Sequence, residues 1–369
     1  MKVLFAGGGT AGHINPAISI AETIKEKRPE AEIAFAGTKK GLESKLVPKA
    51  GYPLYEINIT GFKRKFAPIA NIKAAYCALT SLKIAKNIIR DFKPDIVIGT
   101  GGYVAWPLCR AAAKLNIPTL VHEANAYPGI ATRSLAKHVD KVLLAFEFSK
   151  KYFKDSEKLV YTGNIISNEF IYTKKNDART QLKIPEKPFL LSFGGSLGAR
   201  NINEVMISYI KQNKDEKKDL YHVHATGSYG FRWMPQRLFD IGIKNEDNVL
   251  NVCEYIYNMP QMMAAADLVI CRAGATTIFE LAAMGKPAIL IPSPNVAENH
   301  QYHNAMTLGN AGAAIVIEEK DATPERVLAA LDDLLHDDEK LAAMRKAAQG
   351  CAVFDANQRI CDIVCSLVR

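Results

Sequence analysis

Long uninterrupted runs of apolar residues are absent from this sequence of 369 residues, although 48% of the residues are hydrophobic. A helix that crosses a bilayer needs about 20 consecutive, mainly apolar residues. Residues 1–5 lead directly into glycines and lack the pattern of a secretory signal. We therefore expect neither a membrane span nor a secretory leader.

Paired cysteines and metal-binding motifs are also missing. The seven cysteines are an odd number, and their spacings match neither a disulfide framework nor a zinc site. We interpret them as reduced residues of a cytoplasmic protein. No Asp-x-Asp pair occurs with which the chain could hold a divalent cation, so we expect no bound metal.

Acidic residues are scarce in the first half of the chain and absent from residues 57–90. Residues 1–163 contain 25 Lys and Arg against 13 Asp and Glu, whereas residues 164–369 contain 22 against 25. This asymmetry indicates an anionic partner for the first half only. Nucleic acid, an anionic membrane surface and a pyrophosphate all satisfy that requirement.

The length suggests two domains, since a domain has about 150 residues. Short apolar runs alternate with helical segments in both halves, which predicts parallel sheets covered by helices on both faces. The boundary is predicted near 163–165, and residues 176–188 are predicted to be a surface connection. The predicted strands are 2–6, 32–36, 54–57, 95–98, 119–121, 141–144, 189–193, 221–225, 249–252, 268–271, 288–291 and 314–317, and the principal helices are 16–27, 68–90, 322–335, 338–348 and 353–368.

Similar glycine-rich loops open the two halves: Gly7 to His13 and Gly194 to Arg200, each directly after a strand. Glycines let backbone amides approach a phosphate or sugar, and the helix that follows adds N–H donors and a positive dipole end. The glycine spacing is not the dinucleotide fingerprint, and the second strand is followed by Gly37-Thr38-Lys39-Lys40 without a ribose-binding acid. A nicotinamide-binding fold is therefore disfavoured.

Two further strand ends in the first half carry polar or glycine residues, at the edge where open α/β sheets bind ligands. Gly99-Thr100-Gly101-Gly102-Tyr103 is a second glycine loop, which either holds a second pyrophosphate or only makes a tight turn. His122-Glu123-Ala124-Asn125 indicates a ligand site. A zinc site is disfavoured there because no second histidine follows at helical spacing.

The stretch 267–304 contains a nucleotide-type site of its own. A buried strand is followed by a small-residue turn and a helix that begins near Ala275, whose first N–H groups suit a phosphate. Glu280 lies about one helical turn and a residue further on, where a carboxylate suits the two hydroxyls of a ribose. Together these features fit a nucleoside diphosphate.

These motifs resemble the MurG family of two-domain (GT-B) glycosyltransferases. Ala275 to Glu280 keeps the first alanine, the middle threonine and the glutamate of the family motif Ala-Leu-Thr-Val-Ser-Glu. Gly194 to Ala199 has all five fixed residues of Gly-Gly-Ser-x-Gly-Ala, and 122–125 matches His-Glu-x-Asn. The resemblance covers essentially the whole chain.

Two positions depart from the family pattern. Ala11 replaces a glycine of the family loop Gly-Gly-Thr-Gly-Gly-His, so its backbone angles must suit alanine. The family arginine shortly after Thr-Gly-Asn is absent, because Asn164 is followed by Ile-Ile and then Ser167. One donor contact is therefore missing or is made by another residue such as Arg200.

The resemblance implies an α/β fold of two Rossmann-like domains facing a central cleft. Residues 1–163 would bind the acceptor and dock on the membrane, 164–351 would bind the donor, and a last helix at about 352–369 would pack back on the first domain. The implied reaction is inverting transfer of N-acetylglucosamine from UDP-N-acetylglucosamine to the C4 hydroxyl of the muramyl sugar of lipid I, undecaprenyl-pyrophosphoryl-muramyl-pentapeptide.

The product would be lipid II, a precursor of the peptidoglycan on which cell shape and division depend. The protein would act as a peripheral protein at the anionic cytoplasmic face of the cell membrane. The resemblance implies neither a cofactor nor a nucleic-acid partner, and amides of loops and helices, in place of a metal ion, would stabilise the charge that develops on the diphosphate.

The resemblance also implies the site residues. His13 is the candidate base, because the unperturbed pKa of histidine, about 6.5, suits that role; alternatively it only orders the loop. The predicted donor-binding residues are Thr10, Ala11, Gly12, Asn125, Gly195, Ser196, Ile256, Ala275, Thr276, Thr277, Glu280 and Gln301. The predicted acceptor-binding residues are Gly9, Gly101, Gly102, Tyr103, His122 and Glu123.

A membrane-docking surface is predicted on the helix that starts at Pro68. Its small residues share a face suited to packing on the sheet, and apolar and basic residues occupy the other side. Phe62, Phe66 and Trp106 extend this surface, unless a neighbouring loop covers it. The predicted docking residues are Ile69, Ile72, Lys73, Tyr76, Leu79 and Lys83.

Three alternatives stay open at this point. The first is another GT-B glycosyltransferase, such as a glycolipid synthase. The second is a UDP-sugar epimerase of the same architecture, which would act without an acceptor. The third is a non-catalytic membrane-docking or sugar-binding protein, which the complete set of donor motifs disfavours.

Overall fold

The structure is a computed structural model that describes residues 1–59, 68–216, 219–243 and 250–368, with the backbone alone at Ala11, 68–79 and Leu250. It comprises two compact units. The first contains Met1–Ile166 and Asp355–Arg369, and the second contains Ser167–Phe354.

The described part of residues 1–166 alternates strands with helices. Its strands are β1 Lys2–Gly7, β2 Glu32–Gly37, β3 Leu54–Glu56, β4 Ile96–Gly101, β5 Thr119–Glu123, β6 Lys141–Leu144 and β7 Leu159–Tyr161. Its helices are α1 Ala11–Lys27, α2 Glu43–Lys49, α3 Pro68–Phe92, α4 Gly102–Lys114 and α5 Ile130–Leu135, and short 3₁₀ turns lie at Glu147–Tyr152 and Ser156–Lys158.

The second unit has the same alternation. Its described strands are β8 Phe189–Phe193, β9 Tyr221–Ala225, β10 Leu250–Cys253, β11 Leu268–Cys271, β12 Ala288–Leu290 and β13 Ala314–Val316. Its helices are α6 Asn168–Tyr172, α7 Lys175–Gln181, α8 Arg200–Glu216, α9 Gly227–Gly230, α10 Met234–Asp240, α11 Met259–Ala265, α12 Ala275–Ala283, α13 His300–Asn310, α14 Pro324–Leu335 and α15 Asp338–Gly350, with 3₁₀ turns at Ala297–Asn299 and Glu319–Asp321. The final helix, α16 Ala356–Leu367, belongs to the first unit.

Both sheets are parallel. The first has the strand order β3-β2-β1-β4-β5-β6-β7, and the second has the order β10-β9-β8-β11-β12-β13. In each sheet the chain first builds outward in one direction and then returns to the middle to build in the other. The two central strands, β1 with β4 and β8 with β11, therefore mark the switch point of each sheet, where ligands of such folds bind at the carboxyl ends of the strands.

The apolar runs explain why these sheets form. Alternate residues of β1 face opposite sides: Val3 and Phe5 join a core that includes α1 and α16, whereas Leu4 and Ala6 join one that includes α3 and α4. All four side chains are fully buried. A continuous apolar strand is thus explained by helices on both faces of the sheet.

Several predicted elements differ from the observed ones. The predicted surface connection 176–188 contains most of helix α7, and the short strand β7 was not predicted. Helix α1 begins at Ala11, five residues before the predicted start, so Pro16 lies inside the helix. Proline gives up one intrahelical hydrogen bond there, which its exposed partner residue Gly12 can satisfy with water.

Among the described residues, no helix is both long enough and apolar enough to cross a membrane. In the part of α3 whose side chains are described, Ala85 and Ile89 are buried, whereas Lys83 and Arg90 are exposed. The inner face of the helix is therefore apolar and its outer face basic.

Candidate active site

The switch point of the first sheet brings the first glycine loop to the end of β4. The pairing of β1 with β4 shifts at the last residue, so that Ala6 lies opposite Gly99 but Gly7 lies opposite Gly101. The Thr100 hydroxyl donates to the His13 carbonyl oxygen at 2.7 Å. Two segments that are 87 residues apart in sequence are thus fastened together.

The strand end at Gly101 and Gly102 is a direct junction and not the loop predicted from the sequence. Strand β4 runs to Gly101, with φ of 109°, and α4 begins at Gly102, with φ of 75°. A Cβ at Gly101 would lie 2.6 Å from His13 Nδ1, and one at Gly102 would lie 2.2 Å from the Gly8 carbonyl oxygen. Glycine is required at both positions because the first loop packs directly on this junction.

His13 lies half-buried against that junction. Its Nδ1 atom is buried and has no hydrogen-bond partner among the described residues. Burial lowers the pKa of the imidazole below its ordinary value of 6.5, and a backbone contact with Thr100 opposes part of that shift. The ring is therefore neutral at pH 7, which is the state that a general base requires.

Glu43, which no sequence motif indicated, fixes the first glycine loop through hydrogen bonds. Its fully buried carboxylate accepts from the Gly9 amide at 3.1 Å, the Thr38 amide at 3.0 Å and the Thr38 hydroxyl at 2.7 Å. Burial opposes ionisation, but these hydrogen bonds outweigh it and hold the pKa of Glu43 below its ordinary value. The Gly9 amide is consequently engaged, so it is not a free donor for an acceptor phosphate.

The His-Glu-x-Asn segment forms the end of β5 and the turn after it. His122 is 1% exposed, its Nε2 lies 3.5 Å from the Gly163 carbonyl oxygen, and burial lowers its pKa to about 4. The buried Glu123 carboxylate accepts from the Asn125 amide at 3.1 Å and the Gly129 amide at 3.0 Å. Glu123 therefore orders this turn, whereas His122 faces the Gly163 carbonyl oxygen. Contact of either side chain with an acceptor stays a prediction.

Tyr103 and the remaining residues of the first loop lie nearer the surface. Gly9 has φ of 87°, and its Cβ would lie 3.0 Å from the Tyr103 ring. Thr10 and Gly12 are exposed. Ala11 is the first helical residue of α1, and alanine readily adopts a right-handed helical backbone.

The switch point of the second sheet is built from the second glycine loop and the start of α12. Gly198 donates its amide to the Gly195 carbonyl oxygen at 2.9 Å, which closes a tight turn and leaves Ser196 exposed at its tip. The Gly194–Ala199 loop follows β8, and α12 follows the neighbouring strand β11. The two phosphate-binding motifs predicted from the sequence therefore lie at adjacent strand ends.

Helix α12 begins without a side-chain cap. The residue before it is Gly274, and the first intrahelical bond runs from the Ile278 amide to the Gly274 carbonyl oxygen at 3.1 Å. The amides of Ala275, Thr276 and Thr277 therefore have no partner within the helix. Unsatisfied amides at a helix start provide an anion site.

Glu280 follows on the same helix and is half-buried. In the ranges that the structure describes, its carboxylate has neither a hydrogen bond nor an ion pair. Burial raises the pKa of Glu280 to about 7. A carboxylate kept without a partner in a partly dry position is costly, which indicates that it serves a ligand.

Three further residues order the loops around α12. The Arg272 guanidinium donates to the Ile291 carbonyl oxygen at 3.0 Å and forms an ion pair with Glu319. The buried Asn304 amide donates to the Ala273 carbonyl oxygen at 3.3 Å. Gln301 accepts from the Ser293 amide at 2.9 Å, so the carbonyl side of its own amide group is engaged.

The segment after β10 completes this edge of the second sheet. Ile256 is 5% exposed, so its backbone and not its side chain is the group that can meet a base. Tyr255 and Tyr257 beside it are exposed and pack edge to face, with ring centroids 5.0 Å apart. Exposed aromatic rings at a strand end suit contact with a planar base.

Comparisons with known proteins relate this chain to sugar-transferring enzymes. The N-terminal domain of glycosyltransferase family 28 matches residues 3–144, and its C-terminal domain matches residues 189–360. A UDP-N-acetylglucosamine--N-acetylmuramyl-(pentapeptide) pyrophosphoryl-undecaprenol N-acetylglucosamine transferase of Acetivibrio thermocellus is 44% identical, covering 100% of this chain and 99% of the relative. A protein of the same name from Thermoanaerobacter sp. is 45% identical, with 100% of both chains covered.

The crystal structure of Acinetobacter baumannii MurG matches with a TM-score of 0.79 and 28% identity, covering 99% of both chains. The chain belongs to the MurG family. A UDP-GlcNAc 2-epimerase from Neisseria meningitidis also matches, with a TM-score of 0.66 and 17% identity over 99% of this chain and 100% of that one. At that identity the likeness shows a shared fold alone.

Membership of the MurG family confirms the predicted α/β GT-B fold class and the predicted glycosyltransferase activity. In the described residues, no group of His, Cys, Asp or Glu could hold a metal ion. Ser167, where the MurG family usually has arginine, stands just before α6 and makes no capping hydrogen bond.

The docking prediction falls largely outside the described residues. The side chains of Ile69, Ile72, Lys73, Tyr76 and Leu79 are not described, and neither are Phe62 and Phe66. Lys83 is exposed, and Trp106 is half-buried, with its indole N–H donating to the Ser134 hydroxyl at 3.2 Å.

Proposed function

We propose that this chain transfers N-acetylglucosamine from UDP-N-acetylglucosamine to the C4 hydroxyl of the muramyl sugar of lipid I, forming lipid II. The observation that carries the proposal is the uncapped start of α12, followed by Glu280, whose carboxylate has no partner among the described residues. Both lie at the switch point of the second sheet, and relatives that match over the full length of this chain carry this transferase name. A nucleoside diphosphate satisfies both the amides and the carboxylate.

In this proposal the second unit binds the donor. Amides of Gly195, Ser196 and the first turn of α12 hold the diphosphate, and the Ile256 backbone reads the uracil edge. Glu280 accepts from the ribose hydroxyls, and Gln301 contacts hydroxyls of the sugar. Charge grows on the diphosphate as UDP leaves, and fixed amide dipoles stabilise that charge without reorganising.

The first unit binds the acceptor. Its pyrophosphate lies against Gly101, Gly102 and the exposed part of the first glycine loop, and His13 removes the proton of the attacking hydroxyl. The hydroxyl attacks the anomeric carbon from the face opposite to UDP, so the configuration inverts. Neutral His13 supports this step because an imidazolium could not accept the proton.

A transfer assay distinguishes the three classes of activity. The purified chain is incubated with a soluble lipid I analogue and either UDP-N-acetylglucosamine or UDP-glucose, and both UDP release and sugar products are measured. We expect UDP release with the N-acetylglucosamine donor only when the acceptor is present. Epimerised donor without acceptor, or transfer to a glycolipid acceptor but not to the analogue, would contradict the proposal.

We further propose that the protein is peripheral at the cytoplasmic face of the membrane and docks through α3. The exposed Lys83 and Arg90, the absence of acidic residues from 57–90 and the basic first half support an anionic surface as partner. Each basic residue near an anionic leaflet contributes about 1 kcal/mol, which salt weakens.

Sedimentation with vesicles tests the docking surface. We expect binding to anionic vesicles at low salt, weak binding to neutral vesicles, and loss of binding when Ile72, Tyr76 and Leu79 are changed to serine. Lys83→Gln should weaken binding, whereas Lys211→Gln on α8, an exposed lysine of the second unit, should not. Full retention of the triple variant would place the surface elsewhere.

A further inference from the structure

Five buried polar residues near the second glycine loop form one hydrogen-bonded series. Ser192 Oγ lies 2.8 Å from His222 Nε2 and 2.8 Å from His224 Nδ1, and His224 Nε2 lies 3.1 Å from Asn203 Oδ1. The Asn203 amide nitrogen then donates to the Thr226 carbonyl oxygen at 3.0 Å. All five residues are at most 1% exposed.

The direction of every hydrogen bond in this series follows from the last bond, which Asn203 donates to the Thr226 carbonyl oxygen. A backbone carbonyl only accepts, so the Asn203 nitrogen must face Thr226 and its oxygen must face His224. His224 Nε2 therefore carries the proton, and its Nδ1 accepts from the Ser192 hydroxyl. Ser192 in turn accepts from His222 Nε2, so all the bonds donate toward Thr226.

Both histidines are neutral in this arrangement, as their surroundings require. Burial lowers the pKa of His224 to about 3 and that of His222 well below its ordinary value. His222 Nδ1 is the atom left without a proton, and it is also the one without a partner in the described structure. The ring of Tyr209 packs beside His222 with centroids 5.7 Å apart.

The hydrogen-bonded series ends at Thr226, whose backbone contacts the second glycine loop. A Cβ at Gly198 would lie 2.0 Å from the Thr226 carbonyl oxygen, so the two backbones are in direct contact. Gly227, which follows Thr226, donates its amide to the Glu254 carbonyl oxygen at 3.0 Å. Thr226 thus contacts the second glycine loop on one side, and the next residue, Gly227, joins it to the segment that precedes Ile256.

We propose that Asn203, oriented by the His222–Ser192–His224 chain, is a positioning residue for donor binding: it fixes the Thr226 carbonyl and thereby the Gly194–Ala199 loop. The inference rests on the proposed function, because it takes that loop to hold the diphosphate. Asn203 does not touch the donor. Hydrogen bonds in a buried series polarise one another, which strengthens the last bond of the series.

Asn203→Asp tests the proposal with almost no change of volume. The carboxylate still accepts from His224 but turns an oxygen toward the Thr226 carbonyl and repels it. We expect the KM for UDP-N-acetylglucosamine and the Kd for UDP to rise about tenfold, while kcat and the acceptor KM change less than twofold. Asn203→Leu, which has neither polar atom, should reproduce this result.

A stability-matched control separates positioning from folding. Leu334→Ala removes a fully buried side chain from the core of the same unit, on helix α14. It should lower the melting temperature at least as much as Asn203→Asp, yet leave the Kd for UDP unchanged. Tyr209→Phe removes a buried hydroxyl beside the His222 ring that has no hydrogen-bond partner among the described residues, and it should change neither quantity.

The rise in Kd for UDP should depend on where in the hydrogen-bonded series the substitution lies. Ser192→Ala leaves the Asn203 bond to Thr226 in place but frees His224 to change its tautomer, so the rise in Kd should be smaller than for Asn203→Asp. Calorimetry with UDP, done on each folded variant, measures this series. An unchanged Kd for both Asn203 variants, or an equal rise for Leu334→Ala, would overturn the proposal.

Failure of the proposed function gives a different result. In that case the wild-type chain would show no transfer from UDP-N-acetylglucosamine or no binding of UDP at all. The inference about Asn203 is contradicted only when the wild type binds UDP and transfers the sugar while the Asn203 variants do so with the same donor affinity.

Discussion

We expect the replacement of His13 with alanine to lower kcat by about 10²- to 10⁴-fold and to leave the KM for UDP-N-acetylglucosamine little changed. A general base acts only as the acceptor proton moves, so its loss affects the transition state and not the bound donor. The Gly101–Gly102 junction packs against the ring and stays intact without it. Steady-state kinetics with both substrates varied measures the separation of kcat from KM.

The pH dependence gives a second readout for His13. Because burial holds its pKa below 6.5, the imidazole stays neutral at pH 7, and protonation removes the base only as the pH falls through that lower pKa. The acidic limb of kcat should therefore lie below pH 6.5 and should disappear in His13→Ala. His138→Ala, at an exposed histidine of the same unit, serves as the control. A change confined to the acceptor KM would mean that His13 only orders the loop.

We expect the replacement of Glu280 with alanine to raise the donor KM by about 10- to 150-fold in a protein that remains folded. Hydrogen bonds to a charged acceptor are worth about 1.5 to 3 kcal/mol, and every 1.4 kcal/mol is about tenfold in affinity. The carboxylate has no hydrogen-bond or ion-pair partner in the described part of the chain, so the substitution breaks no such bond there. Calorimetry with UDP measures the loss directly, and an unchanged Kd would exclude Glu280 as the ribose ligand.

The raised pKa of Glu280 adds a pH signature. Ribose hydroxyls donate to the ionised carboxylate, so binding favours the charged form, and donor affinity should increase as the pH rises through about 7. Glu280→Gln should remove this dependence because an amide does not titrate. The exposed Glu325→Gln on α14 should retain it.

The sheets could be predicted closely because buried parallel strands are continuous apolar runs. The predicted strands 189–193, 221–225 and 268–271 have the observed bounds. The helix α7 could not be predicted, because its polar sequence Lys-Asn-Asp-Ala-Arg-Thr-Gln shows no apolar face. Its place is set by contacts distant in sequence, such as the ion pair of Arg179 with Asp267 at 2.9 Å.

The family and its activity followed from motifs, each of which is contiguous in sequence. Glu43 and Asn203 have no such signal, since each acts on a segment distant in sequence: Gly9 lies 34 residues from Glu43, and Thr226 lies 23 residues from Asn203. The sequence alone indicates which residues are suited to bind a phosphate. Which amides are already engaged, as at Gly9, depends on the tertiary structure.

The buried carboxylate of Glu43 also limits which residues can stand in the first glycine loop, at the end of β2 and in the turn after β2. A Cβ at Gly8 would lie 2.8 Å from a carboxylate oxygen of Glu43, one at Gly41 would lie 2.3 Å from both oxygens, and one at Gly37 would lie 2.5 Å from its Cγ. These glycines are small to make room for Glu43, whatever ligand the loop binds. The identity of residue 41 should therefore change together with that of residue 43 in the course of evolution, because a shorter side chain at 43 removes the reason for Gly41. Gly8 is limited in addition by Val104, whose Cγ2 would lie 2.8 Å from the added Cβ.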